Sequence, residues 1–351
     1  VKTFNYAKYK NFALDAEAVS LLAKVYEAKG KQSSFIQSAP AVLETLAAIS
    51  KIQSTEASNR IEGIVTTKER IDALLRHKSK PLNRDEEEIA GYRDVLSTIH
   101  ESYAYIPLSA NTVLQLHRDL LKFTNLGYAG HFKNTDNIIA ERDADGKTTR
   151  VIFEPLKPYE TPTAVNTICE EYRAAMQQYS IDPLVIIPIF IHDFLCIHPF
   201  NDGNGRMSRL LTLLLLYQCD FLIGKYISIE KTIEKTKADY YAALEESSDK
   251  WNENGDSPLP FVKYMLRVLL NAYTEFEERV IAVSKEKLNK SDRVKRTFDL
   301  TLGKISKEKL IELLPDISGP TIKLALNKLV KEGYIQVVGS GRNAAYVKTV
   351  K

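Results

Sequence analysis

Residues 191–209 read Ile191-His192-Asp193-Phe194-Leu195-Cys196-Ile197-His198-Pro199-Phe200-Asn201-Asp202-Gly203-Asn204-Gly205-Arg206-Met207-Ser208-Arg209. An apolar helix runs towards Ile197, and Pro199 drives the residue before it out of the α region, so the helix stops at His198. Asn201 to Gly205 then forms a tight loop, and Arg206 to Gln218 a strongly apolar helix. A loop that opens into a helix N-terminus presents unsatisfied backbone N–H groups and the positive end of the helix dipole. Such a place attracts anions, and Gly203 and Gly205 let a phosphate approach the main chain.

The side chains around this loop suit a polyphosphate. Arg206 and Arg209 stand three apart on the new helix, so both can face one ligand. Asp202 offers a carboxylate oxygen to Mg²⁺, which takes one or two protein carboxylates and completes its shell with phosphate and water. His198 is the nearby group that ordinarily titrates close to neutrality, which suits a general base acting on a hydroxyl. Singly these residues are ordinary: a His before Pro is usually structural, an Asp-Gly-Asn-Gly run is usually a turn, and Arg pairs usually face solvent. Their order and spacing together point to chemistry.

The run His198-Pro199-Phe200-Asn201-Asp202-Gly203-Asn204-Gly205-Arg206-Met207-Ser208-Arg209 resembles the signature of the Fic family, H-P-F-x-D-G-N-G-R-x-x-R, at every specified position. The resemblance implies transfer of AMP from ATP to a Ser, Thr or Tyr hydroxyl of a protein target. It also implies that His198 deprotonates the hydroxyl and Asp202 holds Mg²⁺. Gly203, Asn204 and Gly205 would face the α-phosphate, and Arg206 and Arg209 the β and γ phosphates. Phe200 would point into the core. Related Doc-type kinases have Lys where this chain has Gly205, which favours adenylyl over phosphoryl transfer here. Ser58-Asn59-Arg60-Ile61-Glu62-Gly63 resembles the family's inhibitory motif, in which the glutamate pairs with the second motif arginine, here Arg209. Ser58 and Glu62 share a helix face, and Gly63 is a natural C-cap. The resemblance covers the N-terminal helices to about residue 285; Lys133 in Gly130-His131-Phe132-Lys133 departs from an Arg common in relatives.

The rest of the chain supports a mainly α fold: a Fic helical core with a short β-hairpin flap, followed by a C-terminal winged helix-turn-helix domain. Helical spacing of apolar residues runs through 16–28, 42–52, 111–121, 163–178 and 261–283. Short β-prone runs, Asn137-Ile138-Ile139 and Arg150 to Phe153, flank a turn at Asp143 to Lys147. In the family this hairpin docks the target as an added strand. Tyr240, Tyr241 and Asn252, beside Trp251, are candidate adenine contacts, although aromatic residues at helical spacing are more often core. Towards the C-terminus, Ile305 to Leu313 reads as a helix, Thr321 to Glu332 as a second one capped by Gly333, and 334–347 as a hairpin. Three regions are expected: 1–105 with the inhibitory helix, 106–288 as the catalytic core, and 289–351 as the winged helix.

Of 351 residues, 44% are hydrophobic and 26% charged, the balance of an ordinary globular chain. The formal net charge of +3 is uneven: residues 286–351 hold fourteen Lys and Arg against seven Asp and Glu, leaving residues 1–285 at −4. A basic appendage fits DNA or protein contact, and Thr321, Lys323, Asn327, Lys328 and Arg342 could face DNA. A nucleotide-sensing, DNA-binding regulator is therefore the alternative function. His192-Asp193 with His198 and Asp202 could instead be an HD-type metal cluster of a phosphohydrolase. Three cysteines without a C-x-x-C spacing indicate free thiols. No apolar run is long enough for a membrane span and the first residues lack a secretory pattern, so a cytoplasmic location is expected. Expected partners are a protein target and the chain itself as acceptor, with a homodimer left open.

Overall fold

A computed structural model describes residues 2–38, 40–75, 79–142, 148–284, 290–300, 303–314, 317–339 and 344–349. Two compact units emerge: one of Val1–Glu27, Lys51–Gly224 and Ser228–Ala272, the other of Ala28–Ser50, Lys225–Ile227 and Tyr273–Lys351. The expected boundary at 288–289 lies outside the described residues. No described helix is long and apolar enough to cross a membrane.

Helices α1 (Ala16–Ser38), α2 (Pro40–Ile61), α3 (Lys68–Leu75), α4 (Arg84–Ser102) and α5 (Ala110–Leu120) precede a hairpin of β1 (Ile139–Arg142) and β2 (Thr148–Phe153). Then follow α6 (Thr161–Gln177), α7 (Pro183–Ile197), α8 (Asn204–Gln218), α9 (Ile229–Lys235), α10 (Lys237–Ser248) and α11 (Leu259–Ser284). The first unit is centred on α7 and α8, which pack on each other, with α6 against α7 and α4 against α8. Their apolar side chains, among them Ile186, Phe190, Leu210 and Leu213, are excluded from solvent. Helix starts follow local chemistry: Asp182 accepts from the Leu184 N–H at 2.8 Å with Pro183 next, and Asn83 accepts from the Glu86 N–H at 3.0 Å. Gly91 lets α4 meet the end of α5, since a Cβ there would lie 1.8 Å from the Leu120 carbonyl oxygen.

The hairpin forms where expected, pairing Ile139 with Phe153 and Glu141 with Arg150, while its turn, Asp143 to Lys147, lies outside the described residues. Asn137 and Ile138 precede the strand rather than belong to it. None of the three cysteines is in a disulfide, Cys169 and Cys196 being buried and Cys219 half-buried.

In the second unit, α12 (Lys290–Leu300), β3 (Lys304–Ser306), α13 (Lys307–Leu313), α14 (Gly319–Lys331), β4 (Ile335–Val338) and β5 (Ala345–Lys348) surround Phe298, Ile305, Leu310, Ile322, Leu326 and Leu329. The sheet order is β3-β5-β4, antiparallel throughout. Residues 305–313 are thus not one helix. Ile305 pairs with Tyr346 in the sheet, and the Ser306 hydroxyl caps the helix by accepting from the Lys309 N–H at 3.1 Å. Helix α14 begins at Gly319, two residues earlier than expected, with Pro320 in its first turn. Gly333 ends it at φ +70°. Arg342 lies outside the described residues.

Candidate active site

The loop between α7 and α8 has two left-handed corners. His198 closes α7 at φ 52° and ψ 62°, its N–H donating to Phe194 O at 3.0 Å. It leaves the right-handed α region as Pro199 requires, but for the left-handed well rather than the extended one. At the other lip Gly203 stands at φ 84°, where only glycine is comfortable, immediately before α8. Phe200 is fully buried as expected. Asn204 fastens the loop to itself: its Oδ1 accepts from the Phe200 N–H at 2.9 Å and its Nδ2 donates to Phe200 O at 2.8 Å. Its side chain therefore builds the loop.

His198 Nδ1 donates to Leu195 O at 3.3 Å, so Nε2 carries the free lone pair. Burial pushes its pKa down to about 4, with Lys133 adding to the effect and Glu62 and Asp202 opposing it. The imidazole is neutral at pH 7, the state a base needs.

The two arginines are buried, 1% and 2% exposed, and take different partners. Arg206 faces α4, with Nη1 2.5 Å from Glu88 Oε2 and Nη2 3.4 Å from Asp202 Oδ1. Asp202 also accepts from the Gly203 N–H at 2.6 Å and from Arg84 Nη2 at 3.2 Å. Arg209 faces α2. It donates from Nε to Ser58 Oγ at 2.8 Å and from Nη2 to Ser58 O at 2.9 Å and Glu62 Oε1 at 2.7 Å. Burial works against its charge, yet the Glu62 carboxylate holds the guanidinium more firmly protonated than usual.

Glu62 is delivered by the way α2 ends. Gly63 turns left-handed at φ +79°, with Gly63 N–H bonded to Arg60 O and Ile64 N–H to Asn59 O, both at 3.0 Å, the Schellman pattern. The Glu62 carboxylate then reaches the first turn of α8: a Cβ on Gly205 would lie 2.2 Å from its Oε1. An anionic group of the chain thus occupies the helix N-terminus identified as an anion site. Behind it, α2 is tied down by Ser54 Oγ donating to Glu230 at 2.7 Å, Arg60 pairing with Glu234 at 3.0 Å, and Lys237 Nζ donating to Ile61 O at 2.7 Å.

Residues 107–216 match the family model described as the Fic/DOC family. The chain carries a Fic domain. It resembles the protein adenylyltransferase fic-1 of Caenorhabditis elegans, 26% identical over 160 residues, which are 46% of this chain and 27% of that one. A probable protein adenylyltransferase of Aquifex aeolicus is 33% identical over 97 residues, 28% of this chain and 27% of that one. This chain spans about a quarter of the length of these relatives. In structure it resembles a Fic family protein from Desulfovibrio desulfuricans G20 along almost its whole length, covering 97% of this chain and 98% of the other, with a TM-score of 0.63 at 21% identity. That likeness establishes the fold.

The HD-type reading of the Fic loop fails. His192 and Asp193 group with Asp256 rather than with His198 and Asp202, their ligand atoms within 4.8 Å of one another, the one such trio of His, Cys, Asp and Glu groups among the described residues. A lysine ammonium serves that trio: Lys2 Nζ lies 2.7 Å from Asp256 Oδ1 and 3.9 Å from Asp193 Oδ1. Asp193 also accepts from Trp251 Nε1 at 2.6 Å and from Tyr6 OH at 2.9 Å. Trp251 is accordingly core. Of the adenine candidates, Tyr240 is buried among the rings of Phe261 and Tyr264, while Tyr241 is 45% exposed with the Lys237 ammonium 5.8 Å from its ring centroid. Asn252 donates to Glu154 O at 3.2 Å. The 510 Å³ cleft beside Asn252 is lined also by Phe153, Glu154 and Glu245 and does not include Tyr240 or Tyr241.

Four residues of the Fic site were given no role in it from sequence. Arg84 and Glu88 sit in the acidic run that opens α4, where the Glu88 side chain is 3% exposed and faces Arg206. His117 supports the loop from below, stacked on Phe200 at 3.7 Å and 7°. Its Nδ1 accepts from the Gly130 N–H at 3.0 Å, so Nε2–H donates to Asp202 O at 3.0 Å, and burial holds its pKa down at about 4. Lys133 is the fourth. Its signal was the departure from the arginine common in relatives.

Proposed function

We propose that this chain is a protein adenylyltransferase that moves AMP from ATP to a hydroxyl side chain of a protein, itself included, and that Glu62 restrains it. The observation that carries the reading is the Glu62 carboxylate at the α8 N-terminus, bonded to Arg209 over Gly205, where a nucleotide's phosphates would lie. The relatives' names, protein adenylyltransferases, agree with it.

His198 Nε2 takes the proton of the incoming hydroxyl, whose oxygen attacks the α-phosphorus. The new O–P bond forms as the bond to the β-phosphate oxygen breaks, and pyrophosphate leaves. Loop amides and the α8 dipole hold the α-phosphate, and the two arginines hold the leaving group. Asp202 fits a magnesium ion: it is a hard oxygen donor, its side chain is 38% exposed, and its partner Arg84 is a 57% exposed side chain that can swing away. The ion would neutralise polyphosphate charge. The β1–β2 hairpin would seat the target by strand addition. We read the order α12-β3-α13-α14-β4-β5 as a winged helix with Lys323, Asn327 and Lys328 exposed on α14, outside the transfer chemistry. The division at 1–105, 106–288 and 289–351 and a cytoplasmic setting belong to the same reading.

The test is mass spectrometry of the full chain after incubation with ATP and Mg²⁺, comparing wild type, Glu62→Gly and Glu62→Gly/His198→Ala. An AMP adduct in Glu62→Gly that disappears with His198 supports the reading. A phosphate adduct, or no adduct on the chain or on any added protein, refutes it.

A further inference from the structure

Four consecutive carbonyls of the catalytic loop are met by donors from one short segment outside it. Lys133 Nζ donates to Ile197 O at 3.0 Å, and the Lys133 N–H to Pro199 O at 2.8 Å. Asn137 Nδ2 donates to Phe200 O at 3.2 Å and, at the limit of reach, to His198 O at 3.4 Å. The two side chains brace each other, Lys133 Nζ donating to Asn137 Oδ1 at 2.9 Å. Between these bonds sits His198 in a left-handed conformation that a side chain other than glycine rarely adopts. Such a residue persists when its surroundings over-determine it.

We propose that Lys133 and Asn137 are positioning residues that hold the His198 backbone in its left-handed turn, aim Nε2 at the incoming hydroxyl, and tie that aim to the foot of the β1–β2 hairpin. Asn137 stands two residues before β1, so a target seated on the hairpin would lie on the same short stretch of chain that fixes the base. This rests on the transfer reading above.

The chemistry of Lys133 favours this role over simple filling. Lys133 is 3% exposed, and its ammonium lies at the carbonyl end of α7, where positive charge complements the helix dipole. Burial pulls its pKa down to about 8, with Lys157 adding to the effect and Asp136 and Glu160 opposing it. His198 faces it across the loop as a neutral imidazole. A charge needed for positioning but lost near pH 8 places an alkaline limit on turnover.

The experiment uses the full chain with Glu62→Gly as parent, adding Lys133→Met, Lys133→Arg or Asn137→Ala. Lys133→Met should lower kcat about 10- to 100-fold while the Kd for ATP stays within about twofold, because a misplaced base slows transfer without touching the phosphate site. Asn137→Ala should act in the same direction. Lys133→Arg should recover kcat to within about fivefold and move the alkaline limb above about pH 9, since a guanidinium stays charged. Unchanged kcat in Lys133→Met overturns the proposal. So does a parallel loss of ATP affinity, as general misfolding would produce, or an alkaline limb unmoved by arginine. Absence of AMP incorporation by the parent would instead refute the transfer reading. The positioning role is then decided by NMR: in Lys133→Met the His198 imidazole should titrate at higher pH, and an unmoved resonance and titration overturn it.

Discussion

Glu62→Gly should raise AMP incorporation by about one to two orders of magnitude at sub-saturating ATP. The carboxylate makes a 2.7 Å charge-assisted bond to Arg209 Nη2, with its side chain 31% exposed and that of Arg209 3%. Bonds of this kind contribute about 1.5–3 kcal/mol net, or roughly 10- to 150-fold if ATP must displace the glutamate before Arg209 can hold the γ-phosphate. A steric share comes on top, because Oε1 fills the space in front of Gly205. Glu62→Gln separates the two, since it keeps the bulk and removes the charge, so its gain should be intermediate. Two glycines in succession at the α2 terminus should also cost about 0.5–1 kcal/mol of stability, read as a small fall in Tm. Arg209 keeps its bonds to Ser58 in the variant and stays aimed at the loop, so Arg209→Ala in the Glu62→Gly background should erase the gain. The assay is labelled AMP incorporated per chain, at low and at saturating ATP. Equal incorporation by wild type and Glu62→Gly under both conditions would refute the inhibitory role.

His198→Ala in the same background should abolish transfer while ATP affinity, measured by calorimetry, stays within about threefold, because the imidazole serves the hydroxyl rather than the nucleotide; weaker ATP binding with normal turnover contradicts this. Asp202→Ala should lose both activity and its dependence on divalent metal, and full activity without metal would remove Asp202 from that role. The acid limb of kcat/KM should lie near pH 4 rather than 6.5. His198 is held neutral by burial, so its basic form is populated from pH 8 down to about 5 and lost only as pH falls through about 4. A limb at 6.5 would mean the imidazole is hydrated in the working enzyme.

Where the determinants are local, the sequence was readable. The stop of α7 at His198 and a new helix behind the glycines follow from Pro199 and the apolar run, all within twenty residues, although α8 begins at Asn204, two residues before the expected Arg206. Ser58, Glu62 and Gly63 were placed on one helix end through the resemblance to the inhibitory motif, with the four-residue spacing and the closing glycine in agreement. What escaped was set by pairing across the chain. Glu88 meets Arg206, His117 meets Asp202 and Lys133 meets Ile197 at sequence separations that leave no periodic trace. Trp251 beside Asn252 carried the composition of a binding site and proved to be core, because Asp193 accepts its indole N–H. Residues 305–313 looked helical by apolar spacing; the strand partner that claims Ile305, Tyr346, lies some forty residues on.

The placement of Glu62 sets two helix ends against each other. A carboxylate at the C-terminus of α2 is disfavoured by the dipole of its own helix, while the N-terminus of α8 and Arg209 attract it. On the proposed function the restraint is therefore a difference, and it would hold only while α2 is pressed into position. That task falls to bonds remote from the nucleotide: Ser54 and Glu230, Arg60 and Glu234, Lys237 and the Ile61 carbonyl. Ser54, Ser58 and Glu62 recur every four residues, so one face of α2 carries an anchor to α9, an anchor to Arg209 and the carboxylate itself. Any event that loosens α9 or α10 shifts the Glu62 equilibrium without touching the catalytic loop, and a nucleotide that displaces Glu62 must by the same linkage loosen α2. On the proposed function, the state of this helix and the affinity for ATP are two readings of one balance.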